Sequence, residues 1–246
     1  MSDDSILIIG ASSDIGAALV RRLAADGARR LICHYNTGLA RIEQMQAELG
    51  DSITPVHGDL SSASGSEALI ESLRRDDLVP RSVVHLPASK LRYERFGKTG
   101  PKLFGTEWQI QVGSLIAILQ YCLGGQKRDH PRRRIVVGLS SVTLGLPPKY
   151  LSMYTTIKYA QLGLVRALAA EYGELGVSVN AVSPSMVETQ LLSEVPRQIV
   201  ELSEAQNPMG RNASAGDVAG VIEFLLSPAA GFINGANVPV TGGSVV

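Results

Sequence analysis

"IIGASSDIGAALV", residues 8–20, runs from an apolar segment through a turn of glycine and serine into a helical pattern. The segment "SILII" at 5–9 is short, unbroken and apolar, which suits a strand buried on both faces. Beyond the turn, Ile15, Leu19, Val20 and Leu23 recur at helical spacing. Gly10 permits the tight turn, and Gly16 allows the helix to pack closely on the sheet. The N–H groups around Ser12, Ser13, Asp14 and Ile15 then open toward an anion such as a pyrophosphate. Turn chemistry and an N-cap explain the same residues, so the loop alone leaves both readings open.

Outward from this unit the pattern repeats. "LICH" (31–34), "ITPVH" (53–57), "SVVHL" (82–86), "RIVVGL" (134–139), "VSVNAV" (177–182) and "ANVPV" (236–240) read as further strands. Helical stretches fall between nearly all of them, notably at 39–49, 105–124, 154–173 and 216–226. Apolar strands separated by helices imply a parallel sheet covered on both faces, and right-handed crossovers make it doubly wound. The expected architecture is α/β: one domain over 1–246 with a doubly wound, Rossmann-type fold of seven parallel strands flanked by helices. Segments 88–105 and 185–213 are poorly patterned, and each follows a strand. Ligands in such sheets bind beyond the carboxyl ends of the strands, so these two are expected as the substrate loops.

Composition narrows the class of function. Of the 246 residues 45% are hydrophobic and 19% charged, as in a soluble folded protein. The 23 Lys and Arg balance the 23 Asp and Glu, so no overall field draws the chain to nucleic acid or a membrane surface. Cys33 and Cys122 make neither a disulfide framework nor a metal spacing, and the four histidines are scattered, so no metal is expected. The N-terminus lacks a basic region and a long apolar run, and no stretch approaches the roughly 20 residues of a membrane span. A cytoplasmic protein acting on small molecules is the expectation.

Asp59, after the third strand in "VHGDL", suits an adenine amino group or is an exposed turn residue. The second strand ends in "CHYNTG", with no carboxylate to hold a ribose 2′-hydroxyl. Beside Tyr35, Asn36 and Thr37 are neutral, and Arg41 is near enough in sequence to meet a 2′-phosphate. That favours NADP(H) and leaves NAD(H) open; Arg41 serves equally as a solvated helix residue.

The chemistry lies in "SSVTLGLPPKYLSMYTTIKYA", 140–160. Residues four apart share a helix face, so a helix beginning near Ser152 presents Tyr154 and Lys158 together. Free tyrosine titrates near pH ~10, and lowering that by ~3 units requires about 4 kcal/mol. A cation roughly 4 Å away supplies about that at an effective dielectric near ~20, against an opposing desolvation. Tyr154 would then protonate a carbonyl oxygen, with Ser141 bonding the same oxygen and Lys158 modulating the phenol. A capped amphipathic helix is the plain alternative. The position directly after the fifth strand favours the active site.

These motifs together resemble the short-chain dehydrogenase/reductase family over nearly the full chain, including its 3-oxoacyl-(acyl-carrier-protein) reductases. The resemblance rests on "GASSDIG" (10–16), "GDL" (58–60), "SSV" with "YTTIK", and "NAVSPSMVET" (180–189). "NPMGR", "DVAGVIEFLLS" and "INGANVPVTGG" extend it to the C-terminal region. It implies reversible NAD(P)-dependent reduction of a ketone to a secondary alcohol, with Ser141, Tyr154 and Lys158 as catalytic residues. It also implies Asp59 and Leu60 at the adenine, Ala88 beside the cofactor, and Pro184, Val187 and Thr189 beside the nicotinamide carboxamide. By the same likeness a homodimer or homotetramer is expected.

Three departures stand out. Asp14 occupies a glycine position of the family's loop, and "HLPAS" (85–89) replaces its Asn-Asn-Ala-Gly, leaving Ala88 as the clearest match. The family's helix asparagine has no clean equivalent in "WQIQVGSLIAIL", where Gly113 or Ser114 occupies the region and Ser114 is the candidate fourth catalytic residue. Strand five aligns one residue loosely, so Ser140 is the alternative to Ser141. The basic run "KRDHPRRR" (127–134) is a solvated connection or a dock for an acidic carrier protein. "KLRYERFGKTGPK" (90–102) either solubilises a loop or favours an anionic substrate such as a CoA or carrier thioester. The expected function is an NADP(H)-preferring ketone reductase acting on a small carbonyl or alcohol, free or thioester-bound. The competing expectation, motivated by the departures, is a nucleotide-binding regulatory or structural subunit whose reductase activity has decayed.

Overall fold

Seven strands form where the apolar runs fall. In this computed structural model, which describes residues 5–25, 29–88, 90–193 and 195–245, they are β1 (Ser5–Ile9), β2 (Arg30–Tyr35), β3 (Ile53–His57), β4 (Ser82–His85), β5 (Arg133–Gly138), β6 (Val177–Pro184) and β7 (Asn237–Val240). Residues 89 and 194 of the two expected substrate loops lie outside the described residues. Every neighbouring pair is parallel, in the order β3-β2-β1-β4-β5-β6-β7. The chain builds outward from β1 to β3 and then crosses to β4, so the sheet reverses direction between β1 and β4. That reversal opens a crevice at the carboxyl ends of the strands.

The helices are α1 (Asp14–Ala24), α2 (Leu39–Leu49), α3 (Ala63–Arg75), α4 (Pro101–Trp108), α5 (Ser114–Leu123), α6 (Ser152–Tyr172), α7 (Arg197–Gln206) and α8 (Ala215–Leu226). Side chains of a strand alternate between faces, and the core divides accordingly. Ile6 and Ile8 of β1 join Leu19 and Val20 of α1, Ile42 of α2 and Ile222 of α8 on one side. Leu7 and Ile9 join Leu69 of α3, Leu115 and Ile118 of α5 and Val165 of α6 on the other. This is a doubly wound α/β fold. Among the described residues no helix is long and apolar enough to cross a membrane.

Two elements depart from expectation. The helix expected over 105–124 is α4 and α5 joined by a π-helical turn, Gln109–Gly113. The second poorly patterned segment holds α7, which buries no side chain fully and leaves only Ile199, Val200 and Ser203 half-buried, a short stripe to read. The basic run before β5 sits at the amino ends of the strands, where Arg133 bonds Gln126 and the Pro80 carbonyl. That pole is opposite the crevice.

The first turn is built as its residues require. Gly10 is left-handed (φ 83°), and Ser13 caps α1 by accepting from the Gly16 N–H at 3.1 Å. A Cβ on Gly16 would stand 2.3 Å from the Gly10 carbonyl oxygen and 2.8 Å from the Ala11 Cα. Both obstacles are backbone, so Gly16→Ala should lower the unfolding free energy by about 1–3 kcal/mol. Gly163, inside α6 with no atom near its added Cβ, should instead tolerate alanine or gain up to about 1 kcal/mol. Denaturant midpoints of the two variants, moving in opposite directions, check both statements.

Candidate active site

β5 ends at Gly138 and delivers the chain through Leu139 to Ser140, the last extended residue (φ −164°) before a 3₁₀ turn at Ser141–Thr143. The chain returns as α6, whose first turn carries Tyr154 and whose second carries Lys158. The Ser140 side chain is near enough to the Tyr154 hydroxyl to favour its ionised form. Ser141, expected in that place, opens the 3₁₀ turn, while Ser140, the alternative to it, is the last extended residue.

Lys158 is 1% exposed, and its Nζ lies 5.6 Å from the centre of the Tyr154 ring. It donates to the Gly138 carbonyl at 3.2 Å and to Gln161 Oε1 at 3.1 Å. Gln161 Nε2 in turn donates to the Gln111 carbonyl at 2.9 Å, within the π-helical turn. The Gln111 side chain donates to Glu107 Oε2 at 3.1 Å. Ser114 donates back to the Ile110 carbonyl at 2.6 Å and meets His85 Nε2 at 3.0 Å, so its hydroxyl serves the helix and β4. Gln111 and Gln161 went unread; the signal for Gln161 was its place three residues after Lys158 on the same helix face.

Burial drives the Lys158 ammonium down to about 7, with the Glu107 carboxylate opposing. Burial also raises the Tyr154 phenol, against the lowering effect of the Ser140 side chain and with a further rise from Tyr93. Burial is the largest influence on the Tyr154 phenol, so its net shift is upward, opposite to the expected lowering. His85, at the end of β4, is held neutral, down to about 3, by burial and then by Lys158 and His34. Arg92, Glu94 and Thr99 of the first loop line a recess with Tyr150, Met153 and Tyr154. The Glu94 N–H bonds the Tyr150 carbonyl at 2.9 Å and ties that loop to the start of α6.

At the other end of the crevice stand the residues expected around a nucleotide. Asp14, first residue of α1, accepts from Arg41 at 2.8 Å and from the Gln190 N–H at 2.7 Å. Arg41 also donates to the Ser12 carbonyl at 3.0 Å, so it is neither free nor simply solvated. Asp59 is exposed, and the Ser61 N–H at 3.0 Å holds its carboxyl below the usual range, with Leu60 buried beside it. The Tyr35 and His57 rings meet at 5.4 Å, with Asn36 exposed at the strand end. Ala88 follows β4 half-buried, Pro184 ends β6, Val187 is buried, and Thr189 donates to the Val187 carbonyl at 3.3 Å.

One further residue was missed. His34 of β2 is 3% exposed, accepts from the Gly10 N–H at Nδ1 (3.2 Å) and reaches the Gly58 carbonyl with Nε2 (3.0 Å). It must be neutral and protonated on Nε2, and it braces the first turn against the end of β3. A histidine inside an apolar strand was its only mark in the sequence.

The donors fit a pyrophosphate-bearing dinucleotide. With Gly16's N–H taken by Ser13, the Asp14 and Ile15 N–H groups remain at the open helix end without intrahelical partners. The turn at Gly10 carries no Cβ, and Arg41 balances the Asp14 carboxylate. Beyond β6, the buried Ser185 hydroxyl has no partner. Among the described residues no group of three His, Cys, Asp or Glu side chains is placed to hold a metal ion.

Comparison with known proteins gives a consistent picture. Residues 10–244 match the family described as enoyl-(acyl carrier protein) reductase. The meso-2,3-butanediol dehydrogenase of Serratia marcescens is 29% identical over 250 residues, covering 97% of this chain and 93% of that protein. A 3-oxoacyl-(acyl-carrier-protein) reductase of Pseudomonas aeruginosa is 28% identical over 222 residues, covering 80% and 89%. The crystal structure of a 3-ketoacyl-(acyl-carrier-protein) reductase from Brucella melitensis complexed with NADH superposes with a TM-score of 0.87 at 23% identity, over 99% of this chain and 98% of that one.

His34 makes stability depend on pH. Burial lowers its folded pKa from 6.5 to about 4, so between those values the unfolded chain binds the proton and the folded one does not. Stability is therefore full above about pH 6.5 and lost as pH falls toward 4, by up to about 3 kcal/mol from this group. Urea denaturation across that window should show the decline, to which buried His85 adds in the same direction, and His34→Gln should make it shallower.

Proposed function

The chain belongs to the short-chain dehydrogenase/reductase family, and on that premise we propose that it is an NADP(H)-preferring oxidoreductase that reversibly reduces a ketone to a secondary alcohol. The observation that carries this reading is Tyr154 facing a recess, with the Ser140 side chain bearing on its hydroxyl and Lys158 backing its ring one turn along α6. The reduced nicotinamide supplies the hydride when bound. Its carrier would be held by the Asp14 and Ile15 N–H groups at the pyrophosphate, by Thr189 at the nicotinamide carboxamide, by Asp59 at the adenine, and by Arg41 at the 2′-phosphate.

The chain's own groups handle the proton. Burial keeps the Tyr154 phenol protonated at neutral pH, as a donor in the reductive direction must be. Its Oη gives the proton to the carbonyl oxygen, and Ser140 donates to the same oxygen while charge builds there. The Lys158 ammonium, beneath the ring, stabilises the phenolate that the transfer leaves behind. Arg92 in the recess wall favours an anionic or thioester-linked carbonyl compound, with 3-oxoacyl thioesters as the leading class.

Tyr154→Phe should keep the fold and NADPH affinity while turnover drops by about 10²–10⁴-fold. Ser140→Ala should cost roughly 10²-fold and Ser141→Ala little, read as NADPH oxidation against a panel of ketones and acyl thioesters. Full turnover in the phenylalanine variant would refute the reading. Silence of the wild type across the panel, with nucleotide still bound, would replace it with a nucleotide-binding regulatory role.

Cofactor preference is tested by binding alone. NADPH should bind at least about tenfold tighter than NADH, and Arg41→Ala should abolish most of that difference by removing a charge-assisted bond to the 2′-phosphate. Fluorescence titration of both nucleotides measures it. Equal affinities in the wild type would assign NAD(H) instead.

A further inference from the structure

We propose that Gln161 is a positioning residue of this active site, bridging Lys158 to the π-helical turn so that the amine is fixed beneath Tyr154 and its charged form is favoured. The inference rests on the proposed role of Lys158 and goes beyond it, to what holds that lysine in place. Gln161 is 0% exposed, and both ends of its amide are used. Oε1 accepts from Lys158 Nζ at 3.1 Å, and Nε2 donates to the Gln111 carbonyl at 2.9 Å.

The carbonyl sits in the π turn, where the Ser114 N–H bonds the Gln109 carbonyl five residues back and the winding differs from that of α4 and α5. Gln161 reaches it from α6. The bridge lets a neutral amide answer the ammonium with its oxygen while its own N–H is satisfied, which an apolar residue of the same length cannot do. The remaining charged or titratable groups around Lys158 are the Tyr154 ring on its own helix, Glu107 on α4 and neutral His85 on β4. Of these only Glu107 favours the ammonium. Gln161 and the Gly138 carbonyl are its hydrogen-bond acceptors. A water in Gln161's place would carry protons; an amide side chain holds a charge still. The lysine is thereby assigned a fixed place beneath the ring, with its charged form favoured.

The test is a pH titration of the lysine side chains in the full-length protein by ¹³Cε NMR, with Lys158→Met identifying the resonance. In the wild type the Lys158 midpoint should lie near 7. Gln161→Met, equal in length and apolar, should lower it by roughly one to two pH units, and Gln161→Glu, isosteric and anionic, should raise it by a similar amount. Where a substrate has been found, the pH at which reductive turnover declines should move in the same directions. Midpoints left at the wild-type value would overturn the proposal. If the methionine variant fails to fold, the glutamate variant decides alone. A Tyr154→Phe enzyme with full turnover would sink the proposed reaction and leave these midpoints untouched, so the two failures are distinguishable.

Discussion

A buried ammonium is the constraint around which the carboxyl end of this sheet is organised. Placing Lys158 at 1% exposure costs several kcal/mol unless its donors are met. Meeting them fixes three elements at once. β5 must end with the Gly138 carbonyl turned toward α6, α6 must carry Gln161 on the face of Lys158, and the helix opposite must open a carbonyl for Gln161. Gly138 itself leaves no slack, because an added Cβ would meet the Leu86 side chain at 3.0 Å. Tyr154 and Ser140 then take their positions from the same frame.

The nucleotide end is held by bonds of another kind. Asp14 links α1 to the start of α2 through Arg41 and to the chain beyond β6 through Gln190, and His34 locks the first turn to the end of β3. In a glycine-rich loop this carboxylate would repel an incoming phosphate, yet here Arg41 offsets its charge. The departure that argued for a decayed site is thus compensated within the chain.

Most of the fold was legible because the central strands, buried on both faces, write themselves as near-continuous apolar runs, while the edge strands β3 and β7 are less buried and read as short apolar runs broken by Thr, Pro or His. Tyr154 and Lys158 were legible from helical spacing. Ser140 against Ser141 was not, since a one-residue choice at a strand end turns on where extended backbone gives way to a 3₁₀ turn. Nor was the role of Gln111, because the 3.6-residue period fails inside a π turn and displaces every face beyond it. α7 escaped notice for want of a buried face, and His34 because its partners are main-chain groups from two other segments.

The π turn also has a bearing on how this scaffold diversifies. Five residues stand where a regular helix of the same pitch would hold about four, so loss of one residue there would restore ordinary winding. Rewinding would absorb the missing residue, so α4 and α5 would keep their faces while the backbone under Gln161 changed its bonding. A single codon lost there would thus alter what steadies the lysine and leave the core as it is.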